Sequence, residues 1–158
     1  PHVFSQYRKR EYLMADIFFK PSEYSIEIVG EAKTQKAIKE VIMYKIMVEK
    51  YDLEYKDEKL TATLVLEDDN KFDLGNAVRV DIDDKPVGYL AKEDAAKYRK
   101  ALKELGISNE RCTCKASAFG KREDIGENMF FGIWLAINLD KLEIGELPPK
   151  RKKLFGIF

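Results

Sequence analysis

With 158 residues and 45% apolar content the chain can bury one sizeable core, which favours a single domain with short appendages over two domains. Lysines plus arginines equal aspartates plus glutamates at 28 each, so no global field draws it to polyanions, and any nucleic-acid contact must rest on local charge. Cys112 and Cys114 with the lone His2 fall short of the four ligands of a structural zinc site, and two cysteines at that spacing on one strand face are poorly placed for a disulfide, so neither metal nor cofactor is expected. No apolar run approaches the roughly 20 residues that span a bilayer, and no signal-peptide order opens the chain, so a cytoplasmic protein without a membrane partner is the expectation.

Residues 1–20 combine the basic Arg8-Lys9-Arg10 with Tyr12, Leu13, Met14, Ile17, Phe18 and Phe19, too apolar for a disordered tail, and are expected to pack on the core. Tyr24 to Val29 alternates as a half-buried strand before Gly30. From Lys36 to Lys50 the apolar positions Ala37, Ile38, Val41, Ile42, Ile46 and Met47 fit a helical stripe, with a buried strand as the alternative because of the β-branched run. Glu49 to Lys59 reads as a solvated connection. Lys59 to Glu67 is a strand with Leu60, Ala62, Leu64 and Leu66 on its buried face.

Asn76 to Ile82 and Pro86 to Leu90 form a hairpin turning at Asp83-Asp84. Lys92 to Leu105 is a helix with Glu93 and Asp94 in its first turn, a stripe of Ala95, Tyr98, Leu102 and Leu105, and Gly106 as its stop. Strands near 111–119 and 130–139 flank a polar loop, and Trp134 in the second is expected in the core. These elements predict an α+β fold: a small six-stranded OB-like β-barrel with one or two helices, spanning 21–145. Residues 146–158 form a tail of Pro148-Pro149, four cations and Leu-Phe-Gly-Ile-Phe, read as an extended basic spacer ending in an apolar peptide.

The stretch Glu67 to Lys92 carries polar and small residues at a specific spacing: Asn70, Phe72 and Asp73, then Asn76-Ala77, Val78 and Val80, the Asp83-to-Pro86 turn, and Val87-Gly88-Tyr89. This resembles the signature of the HIRAN domain, most closely from Glu67 to about Lys103, with strand-level similarity from Tyr24 to Asp140. In that family the domain is a relative of the oligonucleotide-binding fold, found fused to SWI2/SNF2-type helicases and as stand-alone bacterial and phage proteins. Its characterised eukaryotic members capture the 3′-hydroxyl end of single-stranded DNA.

The resemblance implies a nucleic-acid site of Phe72, Asp73, Tyr89 and Lys92, joined by Lys33 and Phe131. Phe72 would stack on the terminal base while the Asp73 carboxylate accepts a hydrogen bond from the 3′-hydroxyl. Tyr89 would stack or hydrogen-bond, Lys92 would offset phosphate charge at a helix start, and Phe119 with Phe130 or Phe131 flanks the loop that closes over the end. Two departures stand out. Leu74-Gly75 replaces a single residue of the pattern, and Gly30 is followed by Glu31-Ala32-Lys33 where the family's end binders carry a basic and aromatic pair.

Each of these residues also has a plain structural role open to it: Phe72 as a core plug, Asp73 and Asn76 as turn caps, Tyr89 in the core, Lys92 as a solvated helix residue. Three functions compete. The leading one is a non-enzymatic module that binds single-stranded DNA ends or gapped, stalled-fork structures in DNA repair, working beside a helicase, nuclease or other replication-repair protein. The second is a protein-interaction adaptor that docks a partner groove through Leu154, Phe155 and Phe158. A magnesium-dependent nuclease built on the acidic turns is the least supported, because no histidine falls in the core to serve as a base.

Overall fold

The computed structural model describes residues 17–48, 51–71, 75–108 and 111–146. Six strands, β1 (Ile26–Glu27), β2 (Glu54–Glu67), β3 (Ala77–Ile82), β4 (Lys85–Tyr89), β5 (Arg111–Lys121) and β6 (Phe130–Leu135), form one antiparallel sheet in the order β1-β6-β5-β2-β3-β4. Two helices, α1 (Gln35–Val48) and α2 (Lys92–Glu104), accompany it. The sheet curls into a half-barrel, as expected of a small OB-like barrel, and its two ends meet where Val29, just beyond β1, exchanges backbone hydrogen bonds of 2.8 and 2.9 Å with Tyr89 at the end of β4.

The core follows from the alternation of each strand. Ala62 and Leu64 of β2, Val78 and Val80 of β3, Val87 of β4, Cys114, Ala116 and Ala118 of β5, and Phe131, Ile133 and Leu135 of β6 all lie at 1% exposure or less. Ile38 and Ile42 of α1 cover one part, while Ala95, Tyr98, Ala101 and Leu102 of α2 cover another. The Tyr98 ring meets Phe19 edge-on at 5.9 Å. Ile17 to Phe19 are buried, and backbone bonds between this segment and Thr113 continue the sheet along the free edge of β5. Residues 1–16 and the proposed docking residues Leu154, Phe155 and Phe158 lie outside the described residues.

Several expectations change. The charged stretch before Lys59 is not a loop, since β2 starts at Glu54: Tyr55 and Asp57 point inward and Glu54, Lys56 and Glu58 outward, an alternation that the charges obscured. A register shift between Asp57 and Leu60, where the Asp57 carboxylate accepts from the Lys59 N–H, links this half to the apolar one. The strand read from Tyr24 to Val29 shrinks to a two-residue β1 and the single bridge at Val29. The stripe of α2 ends at Leu102, because Leu105 is the C-terminal cap and is 41% exposed. Gly106, at φ 70°, closes the helix with bonds from Gly106 to Lys103 and from Ile107 to Leu102, the Schellman arrangement.

Asp83 and Asp84 both adopt positive φ, 51° and 61°, as a two-residue type I′ hairpin turn requires. The cysteines are free thiols, both buried on one face of β5. Burial pushes Cys112 up to about 11 and Cys114 up to about 12, so neither presents a thiolate at neutral pH. No helix among the described residues is long and apolar enough to cross a membrane.

Candidate nucleic-acid interface

The signature stretch folds as the end of β2, a connecting loop, the β3–β4 hairpin and the start of α2, and a polar chain ties β2, the start of the loop and both strands of the hairpin together. Arg79 and Asp81 lie two residues apart and so share the polar face of β3. The Arg79 guanidinium forks onto Asp81 through Nε (2.8 Å) and Nη2 (3.0 Å), and its Nη1 donates to Glu67 Oε2 at 2.9 Å. Glu67 Oε1 in turn accepts from the Asn70 amide at 3.0 Å and from the Tyr89 hydroxyl at 2.8 Å.

Burial opposes ionisation of Glu67, but the bonds from Asn70, Tyr89 and Arg79 outweigh it and hold its carboxyl below the ordinary range. Burial, with the bond to Glu67, pushes the Tyr89 hydroxyl up, so Tyr89 stays neutral and donates. A second arginine fastens the loop from below. Arg99 of α2 donates to the carbonyls of Asn76 (3.0 Å) and Ala77 (2.8 Å) and to Asp68 (2.9 Å), and its Nη2 reaches the Glu67 carbonyl at 3.4 Å. Both flanks of the loop are therefore rigidly held, while Phe72 and Asp73 at its middle lie outside the described residues.

The helix following this step begins without a side-chain cap, because Ala91 occupies the cap position. Glu93 and Asp94 in its first turn place two carboxylates at the positive end of the helix dipole, and exposed Lys92 adds a cation beside them. On the other side of the Val29–Tyr89 bridge, Gly30 takes φ 82° and turns the chain into a short 3-10 segment, Glu31–Lys33, with Lys33 exposed.

That turn explains the departure seen in the sequence. Glu31 Oε2 accepts from the Ile133 N–H at 2.6 Å, and the Gln35 amide accepts from the Phe131 N–H at 2.9 Å while donating to the Phe131 carbonyl at 2.8 Å. Side chains here continue the ladder on the edge of β6 where β1 has ended, so Glu31 is spent on closing the barrel.

Phe131 is corrected as a ligand-facing residue. It is fully buried against Tyr55, ring to ring at 5.9 Å, in space left by Gly120, its cross-strand partner. Strand alternation brings Phe130 to the surface instead, 54% exposed, with Phe119 at 38% on the neighbouring strand. Trp134 shares that outer face and is half-buried rather than in the core. Of the residues expected in one site, Tyr89, Lys92 and Lys33 are thus on or beside the bridged end of the half-barrel, and Phe131 is not available to solvent.

Glu67, Arg79 and Arg99 escaped the sequence reading as members of the site. Opposite charges two apart at Arg79 and Asp81 within a strand were the available signal. Arg99 had none beyond its place beside the apolar stripe. Among the described residues no three His, Cys, Asp or Glu side chains cluster so as to hold a metal ion.

Glu31 carries a pH dependence. Burial and, behind it, the Glu27 charge push its carboxyl up to about 7, against the opposing Ile133 bond. Since this lies above the ordinary 4.5, the folded protein keeps the proton that the unfolded chain releases; stability is full below pH 4.5 and declines as pH climbs through about 7. Glu31→Gln keeps an acceptor for Ile133, so urea midpoints of the variant should gain on the parent between pH 5 and pH 8. A constant gap between the two across that range would contradict this account.

Comparison with family models, curated proteins and solved structures finds no match for this chain. Fold and site thus define the class alone: an α+β half-barrel whose bridged end joins an aromatic-bearing strand, a helix start and a loop whose two flanks are held by arginines.

Proposed function

We propose that this protein is a HIRAN-like, non-enzymatic module that binds the 3′-hydroxyl end of single-stranded DNA at the bridged end of its half-barrel. The observation that carries this reading is the pair of links at Tyr89, its backbone bridge to Val29 and its hydroxyl bond to Glu67, which bring three segments distant in sequence to one place. One is the turn with Lys33, the second the end of β2 with Glu67 and Asn70, and the third the step into α2 with Lys92.

The exposed ammonium of Lys92 meets the terminal phosphodiester. Phe72 supplies a stacking surface and Asp73 the acceptor that distinguishes a free hydroxyl from an internal nucleotide. Zero net charge then works for selectivity, because a duplex or an internal stretch of single strand gains little from the protein's overall field. A cytoplasmic place in DNA repair, beside a helicase or nuclease that delivers such ends, is consistent with this reading.

Fluorescence anisotropy with a short single strand ending in either a 3′-hydroxyl or a 3′-phosphate tests it, at low and moderate salt. The hydroxyl strand should bind more tightly. Tyr89→Ala should weaken it about tenfold, and Phe72→Ala or Asp73→Ala should shrink the preference. Equal binding of the two strands would end the end-recognition proposal.

A further inference from the structure

We propose that a cleft between α2 and the Gly75-Asn76 turn leading into β3 is a second binding site, one for a nucleoside 5′-phosphate. Neither Tyr89 nor Lys92 lines it. The cleft has a volume of about 510 Å³, within the range of small-molecule sites. Its shape comes from helical spacing. Ala96, Arg99, Lys100 and Lys103 form one flank of α2 beside the buried stripe of Ala95, Tyr98 and Leu102, and the small Ala96 leaves the room.

Leu66, Leu102 and Ile107 line the cleft with apolar surface, the kind of bed on which a flat base rests. Ile107 is held there by the bond from its N–H to the Leu102 carbonyl that terminates the helix. At the rim, Asn76 offers an amide with both donor and acceptor, and Ser108 a hydroxyl, groups able to read the edge of a base.

Charge selects the other half of the ligand. Lys100 and Lys103 stand one turn apart, where like charges repel, and neither has an acidic partner among the described residues. An anion between them removes that repulsion. The planar fork of Arg99, which suits carboxylates, is committed to loop carbonyls and Asp68, so the ligand's charge falls to two ammonium groups. Point charges with rotatable donors match the several oxygens of a phosphate monoester.

The test titrates the whole protein with 3′-deoxyadenosine 5′-monophosphate by isothermal calorimetry, with 3′-deoxyadenosine and inorganic phosphate as the two halves. This probe lacks the 3′-hydroxyl, so failure here leaves the end-recognition proposal standing, and failure of that proposal leaves this one. The monophosphate should bind at least about tenfold more tightly than either half. Lys100→Gln/Lys103→Gln should weaken it about tenfold with little change in melting temperature, and Ala96→Phe, which fills the cleft, should weaken it without altering charge. Absence of binding at millimolar probe, binding that survives both variants, or phosphate alone binding as well as the nucleotide would each overturn the proposal.

Discussion

Gly88→Ala is expected to destabilise the protein by about 2–3 kcal/mol, the upper range for overpacking a well-filled interior. A Cβ at this position would lie 2.5 Å from the Val29 carbonyl oxygen and 2.7 Å from Ile28 Cδ1. The side chain of Ile28, 1% exposed, is buried in the core, and the Val29 oxygen is the acceptor in one of the two bonds that join the ends of the sheet, so neither neighbour can yield without loosening the closure. The glycine of the Val-Gly-Tyr step is therefore a requirement of close backbone approach rather than of turn geometry. Urea denaturation should show a lower midpoint with an unchanged slope, and heating a melting temperature lower by roughly 2–4 °C for each kcal/mol. A loss below about 0.5 kcal/mol, the scale of an ordinary surface substitution, would mean that the bridge is not what closes this fold.

Arg79→Met should cost about 2–3 kcal/mol. The side chain of Asp81 is only 4% exposed, and the substitution strips it of both bonds from the guanidinium fork. Breaking a buried ion pair by removing one partner costs about 3–5 kcal/mol, and the expected figure is lower because the Arg79 side chain is 26% exposed and water can enter its place. The double variant Arg79→Met/Asp81→Asn removes the orphaned charge and should recover most of the loss. Its urea midpoint should fall between those of the parent and the single variant. If the single variant matched the parent, the chain from Asp81 through Arg79 to Glu67 would be a solvated surface pairing of the usual small worth. The same substitution frees one oxygen of Glu67, so under the proposed function it should also weaken capture of a 3′-hydroxyl strand while Lys100→Gln does not.

Much of the architecture was legible because its signals are local. Alternation marked β3, β4, β5 and β6, the positive-φ turn was foreshadowed by adjacent aspartates, and α2 announced itself by acidic residues in the first turn and a glycine past the last. The first half of β2 was missed because hydrophobicity and burial part company there. Asp57 is buried and Leu53, next to the strand, is exposed at 44%. Phe130 and Phe131 are adjacent aromatics between which composition cannot choose; only the register of β6 with Gly120 and Lys121 puts one ring inside and the other in solvent.

The sequence by itself determined the element types, the turn chemistry and the sides of most strands, because each depends on a period of two or of 3.6 residues within a short window. Which residues share a site was decided by the tertiary structure alone. Tyr89 meets Glu67 across 22 positions, Arg99 meets the Ala77 carbonyl across 22, and Gln35 meets Phe131 across 96. Such partners are selected by the curl of the sheet, which carries the end of β4 round to Val29 and leaves the edge of β6 for side chains to cover. That curl is the summed result of strand twist and core packing over the whole chain, and no short window of residues contains it.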